Sequence, residues 1–245
     1  MKISIITPVY NSASTIAATI KSIQCQNYTN VEHIIVDGAS KDETVEIAKS
    51  FGFSKIISEP DQGIYFAMNK GVNLAQGDII GILNSDDFYA DENVLERVVE
   101  KFYESGADAV YGDLDYVDSL NTNKILRKWR SGPYTAKAFL FGWMPPHPTF
   151  FVKRSVYEQY GLFNTSLRSA ADYEIMLRFI HKYKISVSYL PKVLVKMRAG
   201  GVSNASFKNR FLANREDKKA WVLNDLKPYF FTLLWKPIRK IWQFL

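Results

Sequence analysis

Thiol and imidazole groups are scarce in this chain. Of 245 residues one is a cysteine, Cys25, and three are histidines, His33, His147 and His181. A lone cysteine excludes an intramolecular disulfide and makes a thiolate zinc cluster implausible, which points to a reducing compartment. Long apolar runs are missing too. No window approaches the ~18 uninterrupted apolar residues of a membrane span. The opening MKISIIT runs about five apolar residues before Pro8, far short of a secretory signal. There is also no internal repeat and no low-complexity linker. What is present is ordinary for a globular protein with a core, 47% hydrophobic and 23% charged, enough for one large domain with at most a small appendage. The formal charge of +6 suits a polyanion, an anionic membrane surface or a phosphate-bearing substrate without choosing among them.

The first half alternates strand and helix. Residues 3–7 form a continuous apolar run that reads as a buried strand, and Ile16, Ile20 and Ile23 give helical spacing over 14–26. Residues 31–37 are strand-like, and Ser40 to Glu43 has the capping-box pattern for a helix with Val45, Ala48 and Phe51 inward. A short strand at 56–57, a helix over 63–75, a strand over 78–83 and a helix over 92–104 follow. Such alternation predicts a doubly wound, mostly parallel sheet. The second half predicts a hairpin of 108–118 with 124–130, a proline-rich loop at 142–152, a helix over 170–183, strands at 185–190 and 193–198, and a charged helix over about 206–223.

Ligands of open α/β sheets sit beyond the carboxyl ends of the strands. Asn11, Asp37, Asp61 and the adjacent pair Asp86–Asp87 all fall there, although far apart in sequence. Two neighbouring carboxylates repel unless solvent, a cation or a cationic substrate offsets them, and Mg²⁺ or Mn²⁺ is often held by one or two carboxylates plus substrate phosphates. The competing reading of the pair is a helix N-cap.

SIITPVYN, IIVDGASKDET, EPDQGIYFAMNKGVNLAQGDIIGILNSDDFY and SAADYEIMLRF, in this order and spacing, resemble the family 2 glycosyltransferases of the GT-A fold, with the flavour of bacterial polysaccharide and O-antigen synthesis. The resemblance covers about residues 1–203 and implies a Rossmann-like α/β three-layer sandwich with a mostly parallel central sheet. It sets Pro8, Tyr10 and Asn11 against the nucleotide, Asp37 at the uracil imide, Asp61 near base and ribose, Lys70 near the donor phosphates or sugar, Asp86 at ribose or sugar, and Asp87 on the metal. Asp172 matches the base that takes the acceptor proton, with Glu174 as its rival, and His147 lies in a segment that meets diphosphate, metal or acceptor. The glycine-rich 200–204 resembles a loop closing over the donor phosphates. Two positions depart from the family pattern: Ser85 stands where the metal motif often has its first Asp, and Phe66 where Asp is common.

The resemblance thus implies an inverting, metal-dependent transferase that uses a UDP-linked sugar and a saccharide or lipid-linked saccharide acceptor. The catalytic domain is expected over 1–224, its nucleotide-sugar half over about 1–105 and its acceptor half over 106–224. The residues from 225 on form a separate tail. From Lys227 it holds four basic residues, six aromatics and no acid, a composition that suits an interfacial helix on an anionic bilayer, at the cytoplasmic face of a bacterial inner membrane. The other reading packs this tail on the domain itself. A sugar-1-phosphate nucleotidyltransferase is disfavoured because TPVYNSAST, after the first strand, has no glycine or basic residue. A membrane- or nucleic-acid-binding module is disfavoured by acidic strand-exit loops, which repel phosphates unless a cation intervenes; no nucleic-acid partner is expected.

Overall fold

The computed structural model describes residues 1–52, 54–200, 207–239 and 243. The first half follows the predicted alternation: β1 (Ile3–Val9), α1 (Ile16–Gln24), β2 (Val31–Asp37), α2 (Thr44–Ser50), β3 (Lys55–Ser58), α3 (Ile64–Leu74), β4 (Ile79–Ile82), the two-residue β5 (Phe88–Tyr89) and α4 (Val94–Ser105). The second half carries β6 (Ala109–Val117), β7 (Ile125–Trp129), β8 (Phe151–Lys153), α5 (Arg154–Tyr160), α6 (Ala171–Met176), β9 (Val187–Arg198), α7 (Phe207–Leu223) and α8 (Thr232–Arg239).

All described strands join one sheet in the order β3-β2-β1-β4-β8-β6-β9-β5, with β7 paired to β6 beside that path. β3, β2, β1 and β4 run parallel, so the loops after them open on one edge. β8 is the antiparallel seam between β4 and β6. β1 is buried at every position because both its faces are covered, which is why it reads as an unbroken apolar run. Ile6 points into a core shared with Tyr65, Met68 and Val72 of α3, while Ile3 and Ile5 point into one shared with Val94, Val98 and Phe102 of α4. Three layers result. Helix α4 ends at Gly106, whose left-handed φ of 65° suits a residue without a Cβ.

Three local expectations are corrected. Ser40 does not cap α2; its hydroxyl turns back to Asp37, and Asp42 instead accepts from the Thr44 backbone N–H. The two strands expected at 185–190 and 193–198 are a single β9 whose pairing with β6 shifts register between Tyr111 and Leu114, so the chain passes Pro191 without a turn. The helix expected over 170–183 is α-helical only to Met176 and continues as a π-helical turn over Leu177–Lys182. The hairpin about 119–123 forms as expected.

The tail packs against the domain along part of its length. Thr232 donates to the Leu140 carbonyl at 2.7 Å, and Lys236 pairs with Asp217 at 2.7 Å while lying 3.7 Å from the centre of the Tyr173 ring. Tyr229, Phe230 and Trp235 nonetheless face solvent, Phe230 at 93%. Among the described residues no helix is long and apolar enough to cross a membrane.

Candidate active site

Because β1 to β4 are parallel, Asn11, Asp37, Asp61 and Asp86–Asp87 come to one sheet edge, and hydrogen bonds tie their loops together. Ser12 Oγ lies 2.9 Å from Ser85 Oγ, and Thr19 Oγ1 donates to the carbonyls of Ser85 and Asp87. Ser85, at the place where the family pattern often has an Asp, therefore links the loop after β1 to the loop after β4.

On the β2 side, Asn11 adopts a φ of 49° and its Oδ1 accepts from the Lys41 N–H at 2.8 Å. Pro8 is buried within β1, whereas Tyr10 is 59% exposed. Asp37 is wholly buried and accepts from the Ser40 N–H, the Ser40 hydroxyl and the Ser58 hydroxyl at 2.6 Å, so both its oxygens hold the adjoining loops. Asp61 differs. Lys70 Nζ lies 2.5 Å from its Oδ1, but Oδ2 is buried with no hydrogen-bond partner. A Cβ placed on Gly38 would lie within 3.8 Å of both Tyr10 and Asp61, so an aromatic face and a carboxylate converge on one glycine. Lys70 also pairs with Glu59 at 2.8 Å, and its two acidic partners, Asp61 foremost, hold its ammonium in the charged form.

Asp87 is the most unusual group of the site. It has no exposed surface; Asn84 Nδ2 donates to Oδ2 at 3.3 Å, and Oδ1 meets no donor. The side-chain oxygen Oδ1 of Asn84 is likewise buried and unpaired. Burial first, and the neighbouring Asp86 second, push the Asp87 pKa well above the carboxylate range. Asp86 is raised by burial as well, against the pull of Arg198. A buried carboxyl oxygen with no donor, beside a second carboxyl group, is the chemistry of a hard-cation ligand, because a bound cation would offset the cost of ionising it. Among the described residues no three His, Cys, Asp or Glu side chains gather as a ligand set. The chain thus offers an Asp87 carboxylate, with Asp86 adjacent, to an ion that would draw its other ligands from phosphate and water.

Asp172 opens α6 and is partly exposed; Tyr65 Oη donates to its Oδ1 at 3.3 Å. Burial lowers the His147 pKa while the Asp172 charge opposes that shift, and the imidazole stands edge-on to the Phe163 ring with centroids 5.8 Å apart. Glu174, two positions on, is buried in an ion pair with Arg178 at 2.9 Å and accepts from Asn224 Nδ2 at 2.9 Å. Burial raises the Tyr116 pKa, Arg127 opposes this, and the Asp87 and Asp172 charges add to it. The loop at 201–204 lies outside the described residues.

Three residues were not anticipated. Arg198, at the end of β9, donates to the Asp86 carbonyl at 2.5 Å and lies 4.8 Å above the Phe88 ring. Tyr65 reaches Asp172 from a helix remote in sequence, and the half-buried Tyr116 of β6 lies under the Arg127 guanidinium, 4.5 Å from its ring centre. For Tyr65 a signal existed, since it falls inside the quoted GIY block; for Arg198 and Tyr116 there was none.

Residues 4–161 match the model for Glycosyl transferase family 2. A PGL/p-HBAD biosynthesis glycosyltransferase of Mycobacterium bovis is 33% identical over 216 residues, spanning 85% of this chain and 82% of that protein. Among solved structures, S. aureus TarS 1-349 in complex with UDP-GlcNAc superposes with a TM-score of 0.69 at 17% identity, over 93% of this chain and 68% of that one. The mannosyltransferase PcManGT from Pyrobaculum calidifontis, in complex with GDP-Man and Mn2+, gives 0.68 at 18% identity, over 96% and 68%. Both likenesses concern the fold. With a family match over most of its length and a three-layer GT-A architecture, this chain belongs to glycosyltransferase family 2.

Proposed function

We propose that this protein is an inverting glycosyltransferase that moves a sugar from a UDP-sugar to a saccharide or lipid-linked saccharide during synthesis of a cell-surface polysaccharide or glycolipid. The observation that carries the reading is the unpaired, buried Asp87 oxygen at the exit of β4, on the sheet edge that also carries Asn11, Asp37 and Asp61. A relative named for glycolipid biosynthesis and a fold neighbour holding UDP-GlcNAc support the substrate classes.

In this reading Tyr10 stacks on the base, and the free Asp61 oxygen accepts from base or ribose. Asp37, with both oxygens engaged, holds the floor of that pocket and offers the imide its remaining lone pairs. Asp86 faces the ribose or sugar. Lys70 neutralises Asp61 and Glu59 beside the donor phosphates, and His147 lines the acceptor side. Asp87, with Asp86 beside it, would hold Mg²⁺ or Mn²⁺; when bound, the ion neutralises the charge that gathers on the leaving diphosphate. An acceptor hydroxyl is far too weak an acid to ionise near neutral pH. Asp172 takes its proton as the new bond to the anomeric carbon forms, a contribution of typically ~10²–10⁴-fold. Glu174 is unsuited to that role, because both of its oxygens are engaged by Arg178 and Asn224.

The outward Tyr229, Phe230 and Trp235, on a segment with no acid, support a site of action at an anionic inner-membrane surface. The test of the central reading is UDP release from a panel of UDP-sugars with Mn²⁺. Asp87→Asn, a near-isosteric change, should lower turnover at least about 100-fold and abolish metal-dependent UDP binding, with the circular dichroism spectrum preserved. Undiminished turnover of that variant, or of the native protein in EDTA, would overturn the metal assignment.

A further inference from the structure

Helix α3 presents side chains to both halves of the molecule. Lys70 turns to Asp61 and Glu59 on the donor side. Tyr65 and Asn69, at i and i+4 and hence on one face, reach across to the acceptor half. Tyr65 is 8% exposed, and its hydroxyl donates to Asp172, 107 positions away. Its ring stacks on Phe163 with centroids 5.9 Å apart and planes within 16°. The Phe163 backbone is in turn clamped by Asn69: the side-chain N–H₂ donates to its carbonyl and the side-chain oxygen accepts from its N–H, each at 2.9 Å.

The Tyr65 oxygen also accepts from the backbone N–H groups of Asp172 and Ala171 at the start of α6, and a second set of contacts holds the helix further along. Glu174 anchors Arg178, and the Arg178 guanidinium donates to the carbonyls of Tyr160 and Leu162, which lead into Phe163. These contacts fix where the helix sits, and Tyr65 alone among them reaches the carboxylate as well as the first turn. Burial and the Asp172 charge raise the Tyr65 pKa far above its ordinary value, so the phenol stays a donor at any working pH.

We propose that Tyr65 is a positioning residue for the proton-accepting carboxylate: its hydrogen bond to Oδ1 selects one Asp172 rotamer and leaves Oδ2 as the oxygen offered to the acceptor hydroxyl. The proposal rests on the reading of Asp172 as the base. A partly exposed Asp at the first turn of a helix is otherwise free to sample several rotamers, and a misplacement on the order of 1 Å costs up to ~10²-fold in rate.

The experiment is a double-mutant cycle on steady-state transfer, using Tyr65→Phe, Asp172→Asn and the pair. Phenylalanine keeps the stack on Phe163 and removes only the hydroxyl. Tyr65→Phe should lower kcat about 10- to 100-fold while the KM values for donor and acceptor move less than about 3-fold. In the Asp172→Asn background the same change should have no further effect, whereas a merely structural loss would multiply through. Wild-type kcat for Tyr65→Phe beside an inactive Asp172→Asn overturns the positioning role alone, as does multiplication of the two losses. Wild-type kcat for Asp172→Asn overturns the base reading and the proposal with it.

Discussion

His33 lies in the middle of β2, 2% exposed, with Thr7 Oγ1 2.9 Å from Nε2 and Ser54 Oγ 2.6 Å from Nδ1. Burial pushes its pKa down to about 3 from 6.5. Between those values the unfolded chain binds a proton that the folded chain refuses. The stability is therefore intact above pH 6.5 and falls as the pH drops, with a slope of at most ~1.4 kcal/mol per unit. Urea unfolding of the wild type and of His33→Gln between pH 7 and pH 5 checks this. The variant should show the shallower dependence; parallel curves would remove His33 as the cause. At this scale much of the site was legible, for physical reasons. Carboxylates at strand exits are visible because a strand announces its own end. Their partners are not: nothing in one dimension says that both Asp37 oxygens are engaged while Asp61 and Asp87 each keep one buried and unpaired.

At the scale of the element, α3 is the part with least freedom. A Cβ on Gly71 would lie 2.3 Å from Ile6 Cγ2, on the central strand. Gly71→Ala gains helix propensity of about 1 kcal/mol but forces helix and strand apart, an overpacking that typically costs ~1–3 kcal/mol. Because the same helix carries Tyr65, Asn69 and Lys70, we expect a lower melting temperature together with reduced turnover. A variant as stable and as active as the wild type would show that the contact relaxes freely. The apolar runs and helical spacings made nearly every first-half element readable. The failures have local causes: Ser40 prefers the buried Asp37 carboxylate to a capping role, Pro191 sits in a bulged strand rather than a turn, and the π turn after Met176 obeys tertiary packing that no periodicity records.

Over the whole molecule, both readings of the tail find support. Lys236 and Thr232 hold α8 to the domain, while Phe230 and Trp235 look outward. Flotation with anionic vesicles separates the functions: Phe230→Ser with Trp235→Ser should weaken binding at least about 10-fold, each aromatic contributing on the order of 1 kcal/mol or more at an interface, without lowering the melting temperature. Binding equal to that of the wild type would assign the tail a packing role only.

The reach of α3 into both halves carries a practical consequence for redesign. Tyr65 and Asn69 belong by chain order to the amino-terminal portion, yet they brace Asp172 and Phe163 of the carboxy-terminal one. A chimera that grafts the carboxy-terminal portion of a relative onto this amino-terminal one inherits a foreign brace. A graft that keeps the proton-accepting carboxylate in place must therefore move these four positions together.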